Sequence, residues 1–246
     1  MEFLTLTPSD YIYPTTINRS YTICKYNFSD FDKKTQTSLI NEANQLSITA
    51  NPGEANSGHT RSSIQRTNDS YAGLLAEYAV THFLNSCTNN SAVRPYVTTP
   101  INQIDIVWNN NGASYTIEVR SSFVKNGIPF ALYAINKIDF SPYFDVLGPY
   151  YQKTYKEKYE SVKDLYFRVL FEGAKTNIID RFINNDESFY VIGAMRGNKI
   201  INYNKHKTLQ PGSSVQKYSD FSGDYFVCPI NKIGDITAFK NYFLVN

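Results

Sequence analysis

Only one tryptophan, two methionines and three histidines occur among the 246 residues, and what else is scarce narrows the chain quickly. Cysteine is limited to Cys24, Cys87 and Cys228, odd in number, far apart and in no metal-ligand spacing. That excludes a disulfide framework and points to three buried thiols in a reducing compartment. An excess of one charge is missing too. Against 22 Asp and Glu stand 24 Lys and Arg, a net charge of +2, so any polyanion would have to be met by local clusters rather than a general basic field. No apolar run approaches the roughly 18 residues that a membrane-crossing helix needs. The opening Met1-Glu2-Phe3-Leu4-Thr5 carries neither a basic n-region nor a cleavage site. The expectation is a cytoplasmic protein without membrane contact. Gly-rich phosphate loops, Gly-x-Ser-x-Gly, His-Glu-x-x-His and Cys-x-x-Cys are all absent, which removes the common nucleotide, serine-hydrolase, zinc-protease and thiol-redox templates.

What is present is a globular composition, 42% hydrophobic and 19% charged, with 20 Tyr and 16 Phe. Tyrosine in such number serves either polar interfaces or an aromatic core. One α/β domain is expected over residues 1–246. Residues 1–28 read as an extended arm or edge strand. A helix capped by Ser29 or Asp30 runs to about Leu46, and Asn51 to Asp69 reads as a polar loop. Asp69 or Ser70 opens the strongest helix, to about Ser86, on the stripe Leu74, Leu75, Tyr78, Ala79, His82 and Phe83. Strands are expected at Phe130–Ile135, Leu165–Phe171, Phe189–Ala194 and Tyr225–Pro229, and helices at Tyr150–Lys163, Lys175–Ile183 and Ile233–Phe243. The order suggests a mixed central β-sheet flanked by helices.

Two strand-like runs each place one carboxylate among apolar neighbours. Gln103-Ile104-Asp105-Ile106-Val107-Trp108 is followed by the turn Asn109-Asn110-Asn111-Gly112 and then by Tyr115-Thr116-Ile117-Glu118-Val119-Arg120-Ser121-Ser122. Asn and Gly tolerate positive φ, so the runs form a hairpin. Glu118 and Arg120 project from the same face, and Gln103, Asp105 and Val107 share a face of the first strand. Cross-strand neighbours come within roughly 5–8 Å. Two carboxylates at that range repel unless a cation lies between them, and Mg²⁺ suits an all-oxygen donor set. A simpler arrangement stays open, in which Asp105 and Arg120 pair across the hairpin and Glu118 is solvated at an edge.

Asp105, a hairpin, Glu118-Val119-Arg120 and a preceding helix with Glu77 together resemble the PD-(D/E)XK nuclease superfamily, over about a fifth of the chain (Ser70 to Ser122). The resemblance implies a restriction-endonuclease-like fold with a catalytic core at 70–122. An arm, helix and loop (1–69) would precede it, and specificity and dimer elements (123–246) would follow. It implies Asp105 and Glu118 as Mg²⁺ ligands, Glu77 completing the site, and a homodimer that cuts double-stranded DNA as type II restriction enzymes do. Ile104 stands where the family often has Pro, and Arg120 where it has Lys. Arginine stays protonated, so its part would be electrostatic.

DNA contacts are expected from Arg61, Gln65 and Arg66, with His59 and Asn68 beside them, and from Lys125 and Asn126 after the triplet. Lys153, Lys156, Lys158 and Lys163 read as a charged helix face, His82 as a core or interface residue, and His206 as part of a small basic turn. Other functional classes that fit are a catalytically inactive DNA-binding protein on the same fold and a protein-interaction module.

Overall fold

A computed structural model of the chain describes residues 1–50, 60–89, 91–95, 104–134, 146–152, 158–159, 161–203, 207–209, 223–228 and 230–244. His59, Gln103, Lys153, Lys156 and His206 lie outside the described residues. The strands are β1 (Glu2–Leu6), β2 (Tyr21–Tyr26), β3 (Ala92–Val93), β4 (Ile106–Asn110), β5 (Ala113–Val124), β6 (Val146–Gln152), β7 (Lys158–Tyr159), β8 (Leu165–Glu172), β9 (Phe189–Arg196), β10 (Lys207–Leu209), β11 (Gly223–Cys228) and β12 (Gly234–Asp235). The helices are α1 (Lys33–Thr49), α2 (Ser63–Cys87), α3 (Gly127–Tyr133), α4 (Gly197–Tyr203) and α5 (Ile236–Phe243).

Among the described residues the main sheet has eight strands in the order β1-β2-β9-β8-β5-β4-β3, with β12 paired on β9 beside that path. The β5–β8 ladder is parallel and its neighbours are antiparallel, so the fold is α/β with a mixed sheet. A four-stranded antiparallel sheet, β10-β11-β6-β7, accompanies it. The hairpin forms at the expected place. Asn111 (φ 49°) and Gly112 (φ 77°) both adopt positive φ, the conformation that matches the twist of two-residue hairpins. Ile106 pairs with Ile117 and Asn110 with Ala113.

Helix starts follow capping chemistry more than apolar stripes. The Asp32 carboxylate accepts the Thr35 amide at 2.7 Å to open α1. α2 begins at Ser63, ahead of the expected Asp69 or Ser70, because Ser62 and Gln65 form a reciprocal capping box. Its first two turns are polar, so no stripe marks them.

Other expectations are corrected. Phe130 to Tyr133 belongs to a helix, α3, not a strand. Ile128, Ala131 and Leu132 are buried at helical spacing, and Pro129 sits in the first turn, where its missing N–H is harmless. Within Tyr150–Lys163 the described residues are strand at 150–152 and 158–159 and irregular chain at 161–163, and Lys163 is buried, donating from Nζ to Ser161 Oγ at 2.9 Å. The Lys175–Ile183 helix is a shorter π-helical turn at Ile179–Asn184. Residues 1–28 form edge strand β1 and an interior strand β2. Cys24 and Cys228 are buried, while Cys87 is only half-buried.

The sheet separates two apolar layers. One joins α1, α2 and α5 to Ile106, Trp108, Ile117 and Phe167, and the other joins α3 and α4 to Tyr166, Leu170 and Ile192. Among the described residues nine Phe and five Tyr are buried in the core. Phe239 stacks near Phe83, Trp108 and Phe167 with centroids 5.7, 5.7 and 5.1 Å away, and each buried Phe stabilises by about 1.5–3 kcal/mol. Buried tyrosines keep their hydroxyls bonded, as Tyr133 does to the Leu6 carbonyl at 2.7 Å. Among the described residues no helix is long and apolar enough to cross a membrane.

Candidate active site

A step in the main sheet creates the site. The β4–β5 ladder stops at Ile106↔Ile117, whereas β5 continues to Val124 with β8 still beside it. Among the described residues no strand pairs β5 on its β4 side beyond that point. Asp105 stands at the step. Its amide donates to the Ile117 carbonyl at 3.2 Å, and its Oδ2 accepts the Val119 N–H at 2.7 Å. A side chain thus supplies the acceptor that a longer β4 would have supplied from its backbone.

By register, Glu118 lies opposite Asp105. Strand alternation turns Glu118 and Arg120 away from Ile117, which packs in the α2-side layer. Arg120 Nη2 pairs with Glu118 Oε1 at 3.2 Å, and the two side chains are only 24% and 14% exposed. Glu118 is therefore mostly buried rather than solvated, although it sits on β5 just past the end of the β4 ladder.

Burial is the main reason that the Asp105 carboxyl titrates well above the ordinary aspartate range. The charges of Glu118 and Glu77 push it further, against the Val119 amide and Arg120. Glu77, in the middle of α2, is raised as well, first by burial and then by Glu42 and Glu118, with Arg94 opposing. The sequence-predicted set of Asp105, Glu118, Arg120 and Glu77 is thus one electrostatic cluster.

Three participants were not anticipated. Arg94 grips Glu77 Oε2 through Nε at 2.9 Å and Nη2 at 2.7 Å. It also reaches Glu42 Oε2 through Nη1 at 2.7 Å. Its guanidinium lies 4.5 Å from the Tyr78 ring centre, and the Tyr78 hydroxyl donates to the same Glu42 oxygen at 2.9 Å. The third is Arg168, the register neighbour of Arg120 on β8. It is 3% exposed and donates from Nη2 to Ser122 Oγ at 2.6 Å. A single charge inside the apolar run Leu165–Phe171 was its signal. Arg94 and Glu42 gave none, because their partners are distant in sequence.

The proposed DNA-contacting residues fall into two groups away from the carboxylates. Arg61 pairs with Asp69 at 3.0 Å, Arg66 donates to the Arg61 carbonyl at 3.0 Å, and Gln65 closes the capping box. All three brace the start of α2, and Gln65 lies about 18 Å along the helix from Glu77. Lys125 and Asn126 are exposed in the turn between β5 and α3, with Lys125 about 23 Å along the strand from Glu118. Asn68 is buried and accepts the Ile178 amide at 3.2 Å. His82 is half-buried. Its Nδ1 meets the Tyr26 hydroxyl at 3.0 Å, and burial lowers its pKa.

Among the described residues no group of three or more His, Cys, Asp or Glu side chains is arranged to hold a metal ion. Asp105 and Glu118 form a two-carboxylate, oxygen-only set, which suits an ion that takes one or two carboxylates and keeps its remaining waters. No family model, curated protein or solved structure matches this chain.

Proposed function

We propose that this protein is a Mg²⁺-dependent, sequence-specific endonuclease of double-stranded DNA, of the type II restriction kind. One observation carries the reading: at the step in the sheet Asp105 lies opposite Glu118, burial and then the Glu118 charge raise the Asp105 pKa, and Arg120 shares the strand face of Glu118. Mutually repelling, desolvated carboxylates beside an arginine make a functional-site candidate. Asp105 and Glu118 would hold the cation. Bound there, it supplies Lewis-acid stabilisation and an acidified water. Arg120 remains charged and balances the phosphate oxygens. Glu77 is a positioning residue in this reading, because its carboxylate is taken by Arg94. A homodimer would bring two such sites to the two strands of a symmetric target.

Plasmid DNA incubated with the purified protein tests this. Discrete fragments should form with Mg²⁺ and not with EDTA, and Asp105→Ala should abolish cleavage while sparing binding. Cleavage by Asp105→Ala in Mg²⁺ sinks the assignment. A second reading, an inactive DNA-binding protein, is favoured by the guanidinium partners already held by Glu118 and Glu77. It requires a salt-sensitive mobility shift without any cleavage.

A further inference from the structure

A cavity of about 640 Å³ opens where the segment after β1 meets the turn following β5, lined by Asp10, Tyr11, Tyr13, Asn126, Pro129 and Phe130. Its volume falls within the roughly 300–1,000 Å³ range of small-ligand pockets. Val124, two residues before Asn126, is six residues beyond Glu118 along β5, about 20 Å by strand rise, so this is a place distinct from the carboxylate cluster.

The walls are rings set edge to face. Tyr11 and Tyr13 have centroids 5.6 Å apart at 61°, and Tyr11 and Phe130 are 6.1 Å apart at 65°. Tyr11 is anchored from behind by stacking on the buried Tyr133 at 6.4 Å, which keeps the wall rigid. At the mouth the opposite holds. Tyr13 is 58% exposed and the adjoining Ile12 is 85% exposed, an unusual presentation of two large apolar side chains side by side.

Polar groups decide the occupant. The Asn126 side chain does not cap α3, and its amide carries both donors and an acceptor. The Asp10 carboxylate accepts the Thr7 amide at 2.6 Å and the Thr7 hydroxyl at 2.9 Å. Those bonds hold its pKa below the ordinary value, so it stays charged and acts only as an acceptor. A free phosphate would be repelled by Asp10, and a purely apolar occupant would make no use of the carboxylate or the amide. A planar ring with donors and acceptors along its edge satisfies all of these groups, and Lys125, exposed beside Asn126, supplies a cation for an attached phosphodiester.

We infer that this cavity is a binding site for an unstacked nucleobase of single-stranded DNA, with Tyr13 as the stacking surface and Asn126 and Asp10 reading the base edge. Aromatic side chains stack on any base, and removing one such contact weakens binding by about 1–3 kcal/mol, or roughly five- to 150-fold.

The site does not depend on catalysis, so it is tested on the full chain in EDTA. Fluorescence anisotropy would compare a labelled single-stranded oligonucleotide with an abasic oligomer of equal length and charge. The base-bearing strand should bind and the abasic one should not. Tyr13→Ala should weaken binding about tenfold or more, while Tyr13→Phe, which keeps the ring, should bind as the unmodified protein does. Equal affinity for the abasic strand, or unaltered binding by Tyr13→Ala, overturns the inference. So does a chain that binds neither strand but forms a dimer that Tyr13→Ala dissociates, since the exposed rings would then be a contact between copies. Failure of plasmid cleavage leaves these outcomes untouched.

Discussion

The Asp105 carboxylate accepts the Val119 amide at 2.7 Å, finishing with a side chain a ladder that the backbone of β4 leaves short. This contact holds a charge-bearing group in a place where burial disfavours charge. Structural need and chemical potential therefore meet in one atom, and they can be separated by experiment.

Stability should fall as pH rises. Asp105 and Glu77 have native pKa values raised above their unfolded ones, so between those values the native state binds more protons than the unfolded chain. Their contribution is complete below the ordinary carboxylate pKa and is lost as pH climbs through the raised values. Asp105→Asn keeps an acceptor for Val119 and removes the charge. Thermal melts across pH should show a flatter profile for this variant and a higher Tm at mildly alkaline pH, by about 2–4 °C for each ~1 kcal/mol relieved. A variant with an unchanged slope would remove Asp105 as its source.

Arg94→Met should destabilise by about 3–5 kcal/mol, the usual loss when one member of a buried ion pair is deleted. Glu77 would keep a desolvated charge beside Glu42 and Glu118. Adding Glu77→Gln should recover most of the loss, and urea-unfolding midpoints for the four proteins of the cycle measure the coupling. Additive losses would mean that the pair is decorative.

Arg120 carries the nuclease reading's most pointed test. If its part is electrostatic, Arg120→Lys should cleave within about tenfold of the original, because a lysine is also protonated, while Arg120→Met should lose about 10²–10³ in rate. Single-turnover cleavage with saturating Mg²⁺ reads the step directly. Full activity in the Met variant would remove Arg120 from the chemistry.

Gly193 should tolerate nothing larger. A Cβ there would stand 2.0 Å from the Gly234 carbonyl oxygen, at the place where β12 joins β9 through Asp235↔Gly193. Gly193→Ala is expected to cost more than about 3 kcal/mol. Gly112→Ala, in the open hairpin turn at φ 77°, should cost only about 1 kcal/mol. Denaturant midpoints of the two variants, compared side by side, check the order.

How much could be read beforehand depended on distance along the chain. The hairpin was legible because its signal is local: alternating Ile and Val, an Asn-Gly turn, and a register that follows from both. The stripe of α2 was legible, but its first two turns were not, since only Ser62 and Gln65 announce them. The grouping of Asp105, Glu118 and Arg120 could be proposed from spacing, and Glu77 only from the family resemblance. What occupies Glu77 could not, because Arg94 meets it across 17 residues and meets Glu42 across 52. Helix α3 was misread as a strand because Phe130 to Tyr133 is too short for a period to show. Gly127, with φ 84°, makes the break there, and conformation at a lone glycine is not visible in composition.

Helix α5 sits against the hairpin. Phe239 and Phe243 both lie 5.7 Å from the Trp108 ring centre, and Asn110 Nδ2 donates to the Phe243 carbonyl at 2.7 Å across 133 residues. During synthesis the hairpin therefore leaves the ribosome long before the wall that encloses it, at rates of about 5–20 residues per second. Until that helix arrives, Trp108 has no cover on this side, although α2 and β8 already flank the hairpin. Completion of the aromatic layer behind the hairpin is in this way tied to a late event elsewhere in the chain, and a product cut short before that helix would leave Trp108 uncovered there.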